Sequence, residues 1–176
     1  WYVVGVMMFV YVVSIVDRLI LGLLVQPIKN DLGVSDTQIG LLAGAGFALF
    51  YTVMGVPLAR LADNANRRWL IIAGISLWSL MTAASAFATS FTGLLLARIG
   101  VGVGEAALAP AATSIIADYF SRDRVAHALG VYSMAVYLGA GVAMLAGSIV
   151  VRAVAATGPV AIAGLGTFNG WQLAFL

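Results

Sequence analysis

The sequence contains no cysteine, which rules out disulfides, thiolate metal sites and a cysteine nucleophile. Its single histidine, His127, has no second imidazole to complete a metal set, and no serine or threonine lies in a recognisable nucleophile motif. Charge is equally scarce. Only 9% of residues are Asp, Glu, Lys or Arg, against about 25% in an average soluble domain. The net charge of +2 is small and scattered, so nucleic-acid binding, which needs a basic patch or stripe, is not expected. No residue set asks for a metal or a cofactor. What is abundant is apolar: 62% of residues are hydrophobic and the mean hydropathy is +1.06. That composition belongs to a polytopic membrane protein.

A spanning helix takes about 20 mostly apolar residues. Spans are therefore expected over residues 2–26, 36–60, 68–88, 93–118 and 124–151, with a sixth beginning near Trp171. Pro27 is expected to end the first, and the polar stretch Lys29 to Gly33 to connect it to the second. Ser35, followed three residues later by Gln38, reads as a capping box opening the second span. Ser90 or Thr92 is expected to cap the fourth and Ser121 or Asp123 the fifth. Residues 152–170 mix Gly, Pro and Ala and carry no clear pattern. The chain starts and stops inside apolar runs, so it reads as a fragment cut at both ends. No basic n-region or cleavage site precedes the first run, which is expected to be a retained span.

Connections this short put successive loops on opposite sides. One side carries Arg60, Arg67, Arg68, Arg122 and Arg124, and the other only Lys29 and Arg152. By the positive-inside rule the arginine-rich loops and the N-terminus face the cytoplasm.

Four charges interrupt the spans: Asp17 and Arg18 in the first, Arg98 and Glu105 in the fourth. At ~1.5 Å per residue, Asp17 lies ~15 Å in from Pro27, Glu105 ~18 Å in from Gly93, and Arg98 ~7.5 Å below the outer end of its helix. The two carboxylates and Arg18 thus sit near the middle of a ~30 Å hydrocarbon core. An isolated charge there costs about 2.5–3.5 kcal/mol, so these groups should face a cavity or one another. Asp17 and Arg18 point about 100° apart, and one is expected to meet the cavity while the other braces a neighbouring helix. Burial raises a carboxylate's proton affinity and a nearby arginine lowers it, which makes such a cluster a workable coupling device. On this basis Asp17 and Glu105 are expected to alternate between proton and ion pair, and Arg18 and Arg98 to receive an anionic headgroup, arginine being suited to bidentate phosphate or carboxylate contacts. Gly100, Gly102 and Gly104 lack the Gly-x-Gly-x-x-Gly spacing of a nucleotide loop and point instead to close helix packing. Phe47, Tyr51, Tyr132 and Tyr137 are candidate cavity-lining residues. His127, near the mouth of helix five, is not assigned a proton role.

The stretch Ala59-Arg-Leu-Ala-Asp63-Asn-Ala-Asn-Arg67-Arg68 resembles the loop signature of the major facilitator superfamily, and Arg98 falls where that superfamily places an arginine in its fourth helix. Asp17-Arg18, Ser35-Asp-Thr-Gln-Ile-Gly-Leu-Leu-Ala-Gly and Leu-Leu-Ala-Arg98-Ile-Gly-Val-Gly-Val-Gly-Glu105-Ala are similar to the spinster-type branch, proton-linked carriers of lysophospholipid and sphingosine-phosphate type molecules. Asn64, Ala65 and residues 152–170 depart from its pattern, and the antiporter signature is only partly present in Gly130, Gly139, Gly141 and Gly147.

The resemblance implies an all-α membrane protein, the N-terminal six-helix half-bundle of that fold, with five full spans plus the start of the sixth. It further implies functional roles for Asp17, Arg18, Arg98 and Glu105, and a cytoplasmic latch at Asp63, Arg67 and Arg68, for which Asp118 is an acidic partner. The expected activity is proton-coupled secondary transport of an amphipathic or anionic solute, with a lysolipid or sphingoid phosphate as the example the resemblance implies; an organic anion, sugar or drug is the alternative. The partners would be that substrate, protons, the bilayer of a cell or inner membrane, and a C-terminal half absent from this chain. A channel would need a filter-like segment, and an intramembrane enzyme a nucleophile or metal set; neither is visible.

Overall fold

A computed structural model describes residues 1–156, 158–162 and 166–176. Five helices in it are long and apolar enough to cross a membrane: Tyr2–Leu23, Asp36–Asn64, Arg67–Ala86, Phe91–Tyr119 and Arg122–Val154. They are called the first to fifth spans below.

The first span does not run on to Pro27. It stops at Leu23, and after a bend at Leu24 a second helix, Val25–Leu32, carries the chain through the stretch expected to be a polar connection. Pro27 is tolerated because it is the third residue of this new helix, where an N–H would have no intrahelical acceptor. Gly33, at φ 63°, ends the helix in the left-handed conformation that glycine adopts without strain. The second span opens on the expected capping box: Gln38 N donates to Ser35 Oγ and Ser35 N donates to Gln38 Oε1. A π-helical turn at Leu41–Ala45 interrupts its α-helix, which then continues through Pro57 to Asn64. Asn66 caps the third span by accepting from Arg68 N, and Ser90 caps the fourth by accepting from Gly93 N.

The fourth span is built in two pieces. Phe91–Glu105 ends on its glutamate, and Leu108–Tyr119 starts after Ala106 and Ala107. Pro110 again occupies the third position of a new helix, where it removes no ladder bond. Ser121 stands at the N-cap of the fifth span but makes no side-chain capping bond. The α-helix of that span continues to Ala156. The stretch without clear pattern contains two short antiparallel strands, Val160–Ile162 and Gly166–Phe168, with Val160 opposite Phe168. Asn169 and Gln172 then form a second capping box on the helix Gly170–Leu173, where the sixth span begins.

Burial identifies the centre of the bundle. Of the most apolar stretch of each span, 56% is buried in the fourth but only 11% in the second. The fourth span packs against the third and the second, and the first against the fifth. One apolar cluster, including Phe47, Trp78, Val101, Ile116 and Tyr132, fills the half nearer Arg67. Another, including Leu21, Leu42, Leu94, Trp171 and Phe175, fills the opposite half. Large apolar side chains such as Phe9, Leu49, Trp69, Leu80 and Leu145 point outward, as expected of helices that meet lipid or further helices.

The third and fourth spans touch backbone to backbone. A Cβ on Gly104 would lie 2.7 Å from Trp78 N and 2.8 Å from the Gly74 carbonyl oxygen, and one on Gly74 would lie 2.7 Å from the Gly104 carbonyl oxygen. Replacing Gly104 by Val should therefore lower stability by about 1–3 kcal/mol through overpacking. Gly44→Ala, where a Cβ meets nothing within 4 Å, should be nearly silent. Thermal unfolding of the two variants in detergent checks the contrast.

Candidate functional site

The polar site joins the first and fourth spans. Two adjacent residues on the first span pair with two residues seven apart on the fourth, nearly two helical turns and ~10.5 Å of rise. Arg98 Nη1 donates to Asp17 Oδ2 at 3.4 Å, and Arg18 Nη2 donates to Glu105 Oε2 at 2.5 Å. The ~100° between neighbouring side chains is what separates the two pairs.

The pairs differ in exposure. The side chains of Asp17 and Arg98 are 11% and 3% exposed, and that of Glu105 is 1% exposed, whereas that of Arg18 is 32% exposed. Asp17 and Arg98 brace the bundle, helped by the third span: Thr82 Oγ1 donates to Asp17 Oδ1 at 3.1 Å. Arg18 faces the more open side. Its guanidinium lies 4.5 Å from the Phe47 ring centre and 4.9 Å from that of Tyr51 on the second span, a geometry that favours a cation. The Phe47 and Tyr51 rings stack on each other at 5.6 Å. Arg98 is closed over by Phe175, whose ring centre is 4.6 Å from its guanidinium. Of the two cations expected to meet a headgroup, Arg18 is the one within reach in this conformation.

The other candidates fall into separate places. Tyr132 is buried and stacks on Tyr11 at 5.1 Å, joining the fifth span to the first. Tyr137 is 81% exposed and has no ring or hydrogen-bond contact with the quartet among the described residues. At the arginine-rich end, Arg67 forms an ion pair with Asp118 and Arg67 Nε donates to the Ala62 carbonyl, so the loop between the second and third spans is tied to the fourth. Asp63 and Arg68 are exposed and take no side-chain part in that tie among the described residues. Beside it, Val3, Met7, residues 65–68, Ile115 and Tyr119 line a groove of about 590 Å³. No group of three or more metal-binding side chains occurs among the described residues.

Sequence reasoning passed over Thr82, Ser14 and Phe175. Ser14, buried on the first span one turn before Arg18, interacts with Glu105. Its signal was present: a hydroxyl at i−4 shares a helix face with Arg18. Phe175 was unreadable as a site residue because it reaches Arg98 only through the fold-back of the chain after Gly170. That segment is pinned where Trp171 Nε1 donates to Asp31 Oδ2 at 2.8 Å and Gln172 Nε2 donates to the Ala88 carbonyl at 3.1 Å.

Asp17→Asn should leave Arg98 as an unpaired buried cation and cost about 3–5 kcal/mol. The double variant Asp17→Asn, Arg98→Gln should recover much of that loss, and thermal unfolding of the single and double variants measures the coupling.

Comparison with known proteins places the chain. A family model described as Major Facilitator Superfamily matches residues 7–176. An MFS-type efflux pump of Mycolicibacterium smegmatis is 34% identical over 176 residues, all of this chain and 38% of that protein. Protein spinster of Drosophila melanogaster is 30% identical over 148 residues, 84% of this chain and 24% of that protein. A crystal structure of a bacterial homologue of the human lysosomal transporter Spinster, inward-facing and occupied, superposes with a TM-score of 0.88 at 37% identity, covering 99% of this chain and 40% of that one. The chain thus spans 38% or less of the length of these curated relatives.

Proposed function

Since the chain belongs to the Major Facilitator Superfamily, we propose that it is the N-terminal half of a proton-coupled secondary transporter that works by alternating access. The observation that carries this is the crossed quartet of Asp17, Arg98, Arg18 and Glu105 inside apolar spans. Charges in such a place mark ion or substrate pathways. In this family of folds two half-bundles rock about a site at their interface, so a second half-bundle, for which the relatives have room, completes the cavity.

Within that scheme Arg18 is the substrate cation and Glu105 its proton-sensitive partner. An ionised Glu105 holds Arg18; a protonated one releases it. The freed guanidinium can grip a phosphate or carboxylate with its planar fork, and the Phe47 and Tyr51 rings offer the apolar wall beside it. That combination suits an amphipathic anion, and the likeness to spinster proteins favours a lysolipid or sphingoid phosphate among such molecules. Asp17, held by Arg98 and Thr82, keeps the first and fourth spans together and is the second proton candidate. The Arg67–Asp118 tie, with Asp63 and Arg68 available for contacts across the half-bundle interface, serves as the latch at the cytoplasmic end. The arginine-rich loops and the N-terminus lie on that side by charge bias.

In proteoliposomes containing the full-length carrier, Glu105→Gln should abolish transport driven by a pH gradient while leaving solute exchange at equal pH on both sides. Gradient-driven transport at the wild-type rate in both Glu105→Gln and Asp17→Asn overturns the coupling assignment. Asp63→Asn should lower the transport rate more than the expressed amount; an unchanged rate reduces the loop to setting topology.

A further inference from the structure

The stretch from Phe168 to Phe175 is fastened to the outer end of the half-bundle at several separate places. Phe168, 3% exposed, meets the Phe87 ring edge-on at 5.4 Å, where the third span ends. Trp171 Nε1 donates to Asp31 Oδ2 at 2.8 Å, on the helix Val25–Leu32. Gln172 Nε2 donates to the Ala88 carbonyl at 3.1 Å, between the third and fourth spans. Phe175, one turn beyond Trp171, sets its ring 4.6 Å from the Arg98 guanidinium. The Trp171 and Phe175 rings meet edge-on at 6.3 Å, so the two aromatics form one unit.

Under this unit Arg98 is enclosed but not satisfied. Its side chain is 3% exposed, and its bond from Nη1 to Asp17 is long at 3.4 Å. Nε and Nη2 meet no acceptor among the described residues. A buried donor left unmet is costly, and the face of a phenyl ring answers the charge without accepting those bonds as an oxygen would. Uncovering Arg98 would hydrate both donors. The cover is therefore held on by other contacts: the apolar packing of Trp171 and Phe175 with Leu21, Leu24, Ile28 and Leu94, and the two hydrogen bonds of Trp171 and Gln172. Those two bonds are unlike. The Gln172 bond is buried and ends on a backbone carbonyl. Asp31 is exposed, and a groove of about 270 Å³ lies beside it against Asn169, Gly170 and Trp171. Its carboxylate regains water when the bond parts, so this is the bond suited to making and breaking.

We propose that residues 171–175 are a lid that opens and closes over Arg98 from the outer end of the half-bundle, with the Asp31–Trp171 hydrogen bond as its catch. The lid turns about Asn169 and Gly170, between the anchored Phe168 ring and the indole. Gly170 lets this hinge seat against the fifth span: a Cβ there would stand 3.0 Å from the Val154 carbonyl oxygen and 3.1 Å from its Cα. Shut, the lid keeps the Asp17–Arg98 pair dry. Open, it presents Arg98 Nε and Nη2 to an acceptor on the outer side, either water or the carboxylate or phosphate of a solute. The two cations are then reached by different events, Arg18 as the structure stands and Arg98 only after the catch is released. The outer placement rests on the reading of the arginine-rich loops as cytoplasmic.

Leu21→Cys reports on the lid, because Leu21 is 4% exposed, packs in the cluster that holds Trp171 and Phe175, and lines a small crevice with Arg98. The full-length carrier is placed in sealed vesicles, with any other cysteine changed to serine, and treated with a membrane-impermeant maleimide. Removing the catch by Asp31→Ala or Trp171→Phe should speed modification of Leu21→Cys about tenfold, the effect of losing one hydrogen bond to a charged group. Phe175→Ala should speed it with the catch intact. Lys29→Ala breaks the neighbouring ion pair with Asp36 and leaves the bonds of the lid in place, so it should not. Unchanged labelling in both catch variants, or equal acceleration in Lys29→Ala, overturns the catch. No acceleration in Phe175→Ala overturns the lid. Should Leu21→Cys lose its thermal transition, Ala97→Cys, at a buried position next to Arg98 in the chain, is the second reporter. Asn30→Cys, exposed beside the catch, shows which face of the membrane this end occupies. Its labelling from the cytoplasmic face overturns the orientation alone, and the lid is then probed from that face. Labelling does not depend on proton coupling, so failure of that assignment leaves this test standing.

Discussion

The constraint on which the structure depends is that a charge inside an apolar bundle must find its opposite. Asp17 and Arg98 satisfy it almost completely, at 11% and 3% exposure, and in doing so they fix the rotation of the first span against the fourth. Once that rotation is set, Arg18 has one direction left, about 100° away, and it meets Glu105 two turns along the same neighbour. The second span then brings Phe47 and Tyr51 over the remaining face of Arg18. The asymmetry between the pairs lies in their cover: Thr82 of the third span and Phe175 near the end of the chain close over Asp17 and Arg98, whereas Phe47 and Tyr51 cover one face of Arg18 and leave its side chain 32% exposed.

Much of this was legible in the residues. Apolar runs separated by short polar turns gave the number and order of the spans, and the Ser35–Gln38 box marked one start closely. The quartet was visible because charge is so rare in this chain that any four charged residues at matching depth stand out. Pairing was harder. Sequence spacing shows that Asp17 and Arg18 diverge, but not that both return to one helix; that needs the closeness of the first and fourth spans. Pro27 and Pro110 misled or hid breaks for one reason: proline within the first turn of a helix costs nothing, so it marks a restart as readily as a stop.

The least legible region was residues 152–170, where neither period 2 nor period 3.6 dominates. A three-residue strand is too short to show alternation, and its partner strand offers the only cue. Its importance is positional: the chain that follows the hairpin brings Trp171 to Asp31 and Phe175 to Arg98. A segment with no readable pattern thus delivers the aromatic lid of a buried cation.

The π-helical turn at Leu41–Ala45 has a consequence for how the second span faces its neighbours. Such a turn amounts to one extra residue in an α-helix, which shifts everything after it by about 100° relative to everything before. The span therefore brings Phe47, five residues on from Leu42, back toward the side that Leu42 presents, so that both line the space beside Arg18 and Tyr51 follows one turn later. A single-residue deletion within Leu41–Ala45 would restore an unbroken α-helix and turn the aromatic wall away from the cation without changing any of the residues that compose the site.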